Sequence, residues 1–114
     1  MAEQRSVPVK PSTRDGDDGT GLPSVTDIDT PAVIIDLDRV EANIEKLQTY
    51  LDAHGIAGRP HIKTHKLPLL AHKQVKAGAV GITVQTLGEA EVMAAAGIED
   101  ILITYNLLGE QKTR

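Results

Sequence analysis

Arg59-Pro60-His61-Ile62-Lys63-Thr64-His65-Lys66 is the stretch on which the reading of this 114-residue chain turns. A pleated strand points alternate side chains to opposite faces. Read as a strand that runs into a loop, the stretch puts Arg59, His61 and Lys63 on one face, with His65 continuing it. Ile62 takes the other face. Burying several ionisable groups together is costly unless they are paired or used. Three long polar groups on one face of an interior strand therefore point to a site. His65 and Lys66, further along, read on their own as solvated loop residues.

Strands and helices alternate around this stretch. Ala32-Val33-Ile34-Ile35-Asp36 is apolar and β-branched and predicts a first strand. A helix follows from Asp38, with Asp38 as its cap, Glu41 completing a capping box, and Val40, Ile44, Leu47 and Leu51 as its apolar stripe. Gly55 is its stop. After the Arg59–Lys63 strand, Pro68 suits the first turn of a second helix. Leu67, Leu70, Ala71 and Val75 form its buried side, and Gly78 ends it. A third strand runs from Val80 to Val84. Thr86 and Glu89 form another capping box, opening a helix that buries Leu87, Ala90, Met93 and Ala94 and stops at Gly97. Asp100–Thr104 is a fourth strand, and Leu107–Glu110 begins another helix.

Alternation of this kind predicts an α/β fold of parallel βα units. A parallel sheet is covered on both faces or closed into a barrel. A complete (β/α)8 barrel takes about 250 residues. The expectation is a partial TIM-type barrel, truncated inside a unit. Residues 1–29, rich in Pro, Gly, Ser, Thr and Asp, are expected to be a disordered leader before an ordered region at 30–114. Their Asp15–Gly21 run lacks the spacing and the Glu of an EF-hand loop.

Composition excludes several classes. Cysteine is absent, so there is no disulfide framework and no thiolate metal site. Net charge is −4 and no basic face is evident, which argues against nucleic acid. No run is apolar enough to span a bilayer, and no signal-peptide core precedes the ordered region. The expectation is a soluble, cytoplasmic protein.

In a parallel barrel, chemistry sits at the C-terminal ends of the strands. Lys63 falls there, two residues beyond His61. Neighbouring cations and desolvation both favour a neutral amine, the form that condenses with aldehydes. His61 and His65 also have the i, i+4 spacing of helical zinc ligands. The residues between them lack the metalloprotease Glu and the segment reads as strand, so no metal site is assigned.

Three segments carry a resemblance. They are Thr30-Pro31-Ala32 with Asp36-Leu37-Asp38, then Arg59 through Lys66, then Gln85-Thr86-Leu87-Gly88-Glu89-Ala90-Glu91. In this order they resemble the N-terminal part of the D-threonine aldolase and eukaryotic-type D-serine dehydratase family, which are alanine racemase-like, fold-type III pyridoxal-phosphate enzymes. The resemblance implies that Lys63 holds pyridoxal 5'-phosphate as a Schiff base. Lys66, its rival, has the opposite strand parity. His61, His65 and Gln85 are implied cofactor contacts, although Thr86 beside Gln85 has a competing role as a helix cap. Tyr105 and Asn106 could line the mouth, with a loop role favoured.

The implied function is a lyase acting on D-β-hydroxy amino acids. The alternatives are an amino-acid racemase of the same fold, a non-catalytic pyridoxal-phosphate-binding protein, or an inactive fragment. A homodimer is expected at full length, with any divalent metal held by residues outside this chain. The Ala32–Asp36 strand could join a separate β-domain. The isolated 114 residues are expected to bind cofactor weakly or not at all.

Overall fold

The computed structural model describes residues 24–113, which fall into two compact units divided between Ile34 and Ile35. Residues 1–23, with the Asp15–Gly21 run and most of the expected leader, lie outside the described residues. In the first unit, Val25–Asp27 makes one 3-10 turn, closed by Asp27 N–H donating to Ser24 O at 2.9 Å.

Residues 32–36 form no strand, contrary to the sequence reading. A strand needs a hydrogen-bonded neighbour, and this run has none among the described residues. Val33 is 93% exposed. Its last residue is instead the cap of helix α1, Leu37–Ala53. Asp36 is extended, and its carboxylate accepts from Arg39 N–H at 3.0 Å. The cap therefore sits two residues before the expected Asp38, which lies in the first turn beside the positive end of the helix dipole. Glu41 closes no capping box; it pairs with Lys73 on helix α2, Pro68–Ala77.

Pro68 opens α2 as expected, and Gly78 at φ +126° ends it. Leu70 and Ala71 are buried, whereas Leu67, the cap residue, and Val75 stay more than a third exposed. Strand β1 is Ile82–Val84, helix α3 Leu87–Ala95, strand β2 Ile101–Ile103 and helix α4 Glu110–Thr113. β1 and β2 are parallel, with Ile82 opposite Ile101 and Val84 opposite Ile103. On the other side of β1, His61 makes a single parallel bridge to Thr83. Three consecutive segments thus lie side by side and parallel, with α2 and α3 as the connections. These are the expected βα units.

The core lies between these segments and the two connecting helices. Ile62, Ala71, Ile82, Val84, Met93 and Ile98 form it. Burying a side chain the size of Ile62 or Met93 contributes about 1.5–3 kcal/mol. Ala94, expected inside, is exposed.

The strand expected over Arg59–Lys63 is shorter than the sequence suggested. Only His61 pairs, and Ile62–Thr64 turns into a 3-10 helix. Two observations account for this. Ile62 is drawn fully into the core. The His61 side chain then accepts from the Lys63 N–H and so caps the turn.

Candidate active site

Parallel register stacks side chains in tiers on the sheet face that α2 and α3 leave uncovered. Ile82 and Val84 face the helices and are fully buried. Thr83 between them points the other way. It is bridged to His61 and paired with Leu102, which makes one tier. Two residues earlier on each segment come Arg59, Gly81 and Asp100. Two residues later, past the C-terminal ends of the strands, come Lys63, Gln85 and Thr104, with Lys63 already in the 3-10 turn.

The lower tier is a structural clamp. Arg59 donates both terminal nitrogens to Asp100, each at 2.8 Å, reaching across the intervening strand. Asp100 holds the guanidinium above its ordinary pKa. The hydrogen bond from Arg59 and the attraction of its charge hold the Asp100 carboxyl below its ordinary 3.8. Gly81 makes this possible, because a Cβ there would meet the guanidinium, and Asp100 O at 2.6 Å. Arg59 is thus committed to the opposite end of the sheet from Lys63.

In the upper tiers, His61 Nδ1 accepts from Lys63 N–H at 3.2 Å. In a neutral ring this leaves the proton on Nε2, which faces Thr104 Oγ1 at 3.5 Å. Thr104 in turn donates its hydroxyl proton to Val84 O at 3.2 Å. Lys63 is exposed, and its side-chain amine has no hydrogen-bond or ion-pair partner among the described residues. The shared strand face expected for Arg59, His61 and Lys63 is replaced by a face that ends at His61 and a turn that presents Lys63 beyond it.

The rest of the loop is tied down. His65 Nδ1 accepts from Leu67 N–H at 3.0 Å, and its Nε2 lies 3.3 Å from Gln74 Oε1. These bonds anchor the start of α2, where Leu67 itself offers no side-chain cap. Lys66, at φ +53°, reaches Glu89 Oε1 at 3.1 Å. The other Glu89 oxygen accepts from Gln85 N–H at 2.8 Å, while Thr86 Oγ1 accepts from Glu89 N–H at 3.2 Å. The second capping box is therefore present, shifted by one residue on the glutamate side. The Gln85 N–H first, and Lys66 second, hold the Glu89 carboxyl below its ordinary 4.5. Strand parity thus fails as the ground for separating Lys63 from Lys66, since neither lies in a strand. Pairing separates them instead.

Sequence reasoning missed Thr104 and Glu89 as parts of this site. Thr104 was recoverable, as it follows Leu102 with the same parity. The Lys66–Glu89 pair joins residues 23 positions apart and carries no local signal.

Two clefts flank α1, of about 320 and 490 Å³. The first is lined by Ile44, Leu51, Pro60 and Gln74 among others, the second by Glu41, Asp52 and Lys76 among others, and neither includes Lys63, His61 or Gln85. Chemistry and tier geometry, not concavity, locate the candidate site. Among the described residues no three His, Cys, Asp or Glu side chains converge as metal ligands. No described helix is long and apolar enough to cross a membrane.

The lowered carboxyls carry a prediction. Glu41 is held down by the Lys73 hydrogen bond, as Asp100 and Glu89 are by their donors. A carboxyl with a depressed folded-state pKa binds fewer protons folded than unfolded, so stability rises with pH through that interval. The contribution is complete above the ordinary values of 4.5 and 3.8 and is lost as pH falls through the lower folded ones. Melting temperature should hold between about pH 7 and pH 5, then drop toward about pH 3. A melting temperature that stayed level or rose on acidification would contradict this assignment.

Comparison with known proteins places the tiers in context. The chain is 51% identical over 80 residues to D-threo-3-hydroxyaspartate dehydratase of Delftia sp. (strain HT23), which covers 70% of this chain and 21% of that protein. It is 38% identical over 108 residues to D-threonine aldolase of Arthrobacter sp., covering 95% of this chain and 27% of that one. The crystal structure of D-threonine aldolase from Filomicrobium marinum superposes with a TM-score of 0.75 at 43% identity, over 77% of this chain and 24% of that one. The chain thus spans about a quarter of the length of these relatives. The model of the alanine racemase N-terminal domain matches residues 35–112, nearly the whole unit that holds the parallel segments and Lys63. That domain is a TIM-type barrel, the architecture to which these parallel βα units conform; the chain belongs to the alanine racemase N-terminal domain family.

Proposed function

We propose that the protein carrying this chain is a pyridoxal-phosphate-dependent lyase of D-β-hydroxy amino acids, with Lys63 as the point of covalent attachment. One observation carries the reading. Lys63 presents an exposed amine without a hydrogen-bond or ion-pair partner among the described residues, just past the strand face that bears His61 and Thr104, at the C-terminal end of a parallel sheet. That is where barrel enzymes place their chemistry. The relatives act on this substrate class, as their names state.

The residues present fit the aldehyde end of such a cofactor. Lys63 supplies the amine. His61 holds the Lys63 amide through Nδ1, and Gln85 directly follows the last residue of the neighbouring strand. His65 contributes by positioning, because both of its ring nitrogens are engaged. When bound, pyridoxal phosphate supplies an electron sink for the charge left at the substrate Cα.

Lys63 would hold the cofactor through its amine, and that nitrogen, when not so engaged, would be available to move a proton. Removal of the Cα proton with departure of the β-hydroxyl gives a dehydratase. Removal of the β-hydroxyl proton as Cα–Cβ breaks gives an aldolase. Racemisation removes the Cα proton and returns one to the opposite face, and is the second reading on the same residues.

The test is product analysis. The protein is given D-3-hydroxyaspartate, D-threonine, D-serine and D-alanine in turn. Glycine with an aldehyde marks cleavage, and a 2-oxo acid with ammonia marks dehydration. L-alanine from D-alanine, with the three hydroxy amino acids untouched, would replace the lyase reading with the racemase.

A further inference from the structure

The loop holds two lysines three residues apart, and both are exposed to solvent. Exposure alone would let either amine condense with an aldehyde. Their surroundings differ. Lys66 is 63% exposed, yet its ammonium lies 3.1 Å from a Glu89 oxygen whose side chain is only 11% exposed. Glu89 does not swing freely either. Its second oxygen is fixed by Gln85 N–H at 2.8 Å, and its own N–H is held by Thr86. A carboxylate pinned at the start of α3 thus reaches back and holds one of the two amines. The backbone of Lys66 sits in the left-handed region, sparsely used by residues with a Cβ.

Resting on the functional reading above, we propose that Glu89 determines which lysine of this loop takes the aldehyde. Condensation needs an amine with a free lone pair. The nitrogen attacks the carbonyl carbon, a C=N bond forms, and the carbonyl oxygen leaves as water with two protons. Either lysine must first give up a proton, but Lys66 must also leave Glu89. Lys63 has no such partner among the described residues. Glu89 is therefore a positioning residue that withholds Lys66 and, through Gln85, ties the selected loop to the end of β1.

Borohydride trapping tests this and does not need tight binding, because it captures transient condensation. The full chain is mixed with pyridoxal phosphate, reduced and mapped by peptide mass. In the unaltered protein the label is expected on Lys63, with little on Lys66. Glu89→Gln keeps an oxygen for the Gln85 N–H but removes the charge. In that variant the share of label on Lys66 should rise about tenfold. Lys63→Arg alone retains Glu89 and should leave Lys66 unlabelled, a result that does not depend on how Glu89→Gln folds. Equal labelling of both lysines in the unaltered protein, or strong labelling of Lys66 in Lys63→Arg, overturns the proposal. So does a folded Glu89→Gln protein labelled only on Lys63; that outcome leaves the functional reading intact. Label on neither lysine in the unaltered protein overturns both.

Discussion

Lys63→Ala is expected to abolish the visible absorbance of the pyridoxal-phosphate-loaded protein and to lower turnover by at least about a hundredfold to ten-thousandfold, the range associated with a lost proton-transfer group. The fold should be indifferent to the change. The Lys63 side chain is exposed and makes no hydrogen bond or ion pair among the described residues. Surface substitutions of that sort shift stability by about 0.5 kcal/mol or less. Loss of the absorbance band without loss of folded structure is therefore the specific signature. The sharpest comparison is Lys66→Ala. It breaks the pair with Glu89 but should keep the band, because Lys66 is not the attachment point. A Lys63→Ala protein that still formed a borohydride-stable adduct at full stoichiometry would remove Lys63 from the reaction.

Gly81→Ala should produce a large loss of stability for one added methyl group. The new Cβ would sit 2.6 Å from Asp100 O and 2.8 Å from Asp100 Cγ, and it would press on the Arg59 guanidinium. The first of these cannot move cheaply, since Asp100 O also accepts the Ile82 N–H at 2.9 Å and so joins β1 to β2. Overpacking of this kind costs about 1–3 kcal/mol, a large part of the stability of a small unit. Gly88→Ala is the matched control. Nothing lies within 4 Å of a Cβ at Gly88, and alanine favours a helix over glycine by about 1 kcal/mol. Denaturant midpoints should move down for Gly81→Ala and stay level or rise for Gly88→Ala. Equal midpoints for the two variants would refute the close packing of the lower tier.

The contrast between Arg59 and Lys63 shows how far sequence pattern reaches. Both were placed on one polar strand face, and alternation was the right rule for Arg59 and His61. It failed at Lys63 because the chain stops being a strand there. Ile62 enters the core and His61 bonds forward to the next amide, so the turn begins one residue too early for parity to carry through. Ala32–Asp36 failed for another reason. A β-branched run favours extended backbone, but a strand is a pairing, and no described segment pairs with it. The helices were easier, since their caps and stops are local. Pro68, Gly78 and the Thr86–Glu89 box all act within one turn of their own position.

Order and type of the repeating units, the family resemblance and the singling out of Lys63 came from sequence alone. Each rests on periodicity or on residues adjacent in the chain, and such signals survive without coordinates. The parting of roles among the charged residues came only with the tertiary structure. Arg59 goes down to Asp100, Lys66 goes across to Glu89, and Lys63 is left open. These partners are 41 and 23 residues away. Only the parallel register of neighbouring segments brings such distant carboxylates to one lysine and one arginine while passing over the third cation.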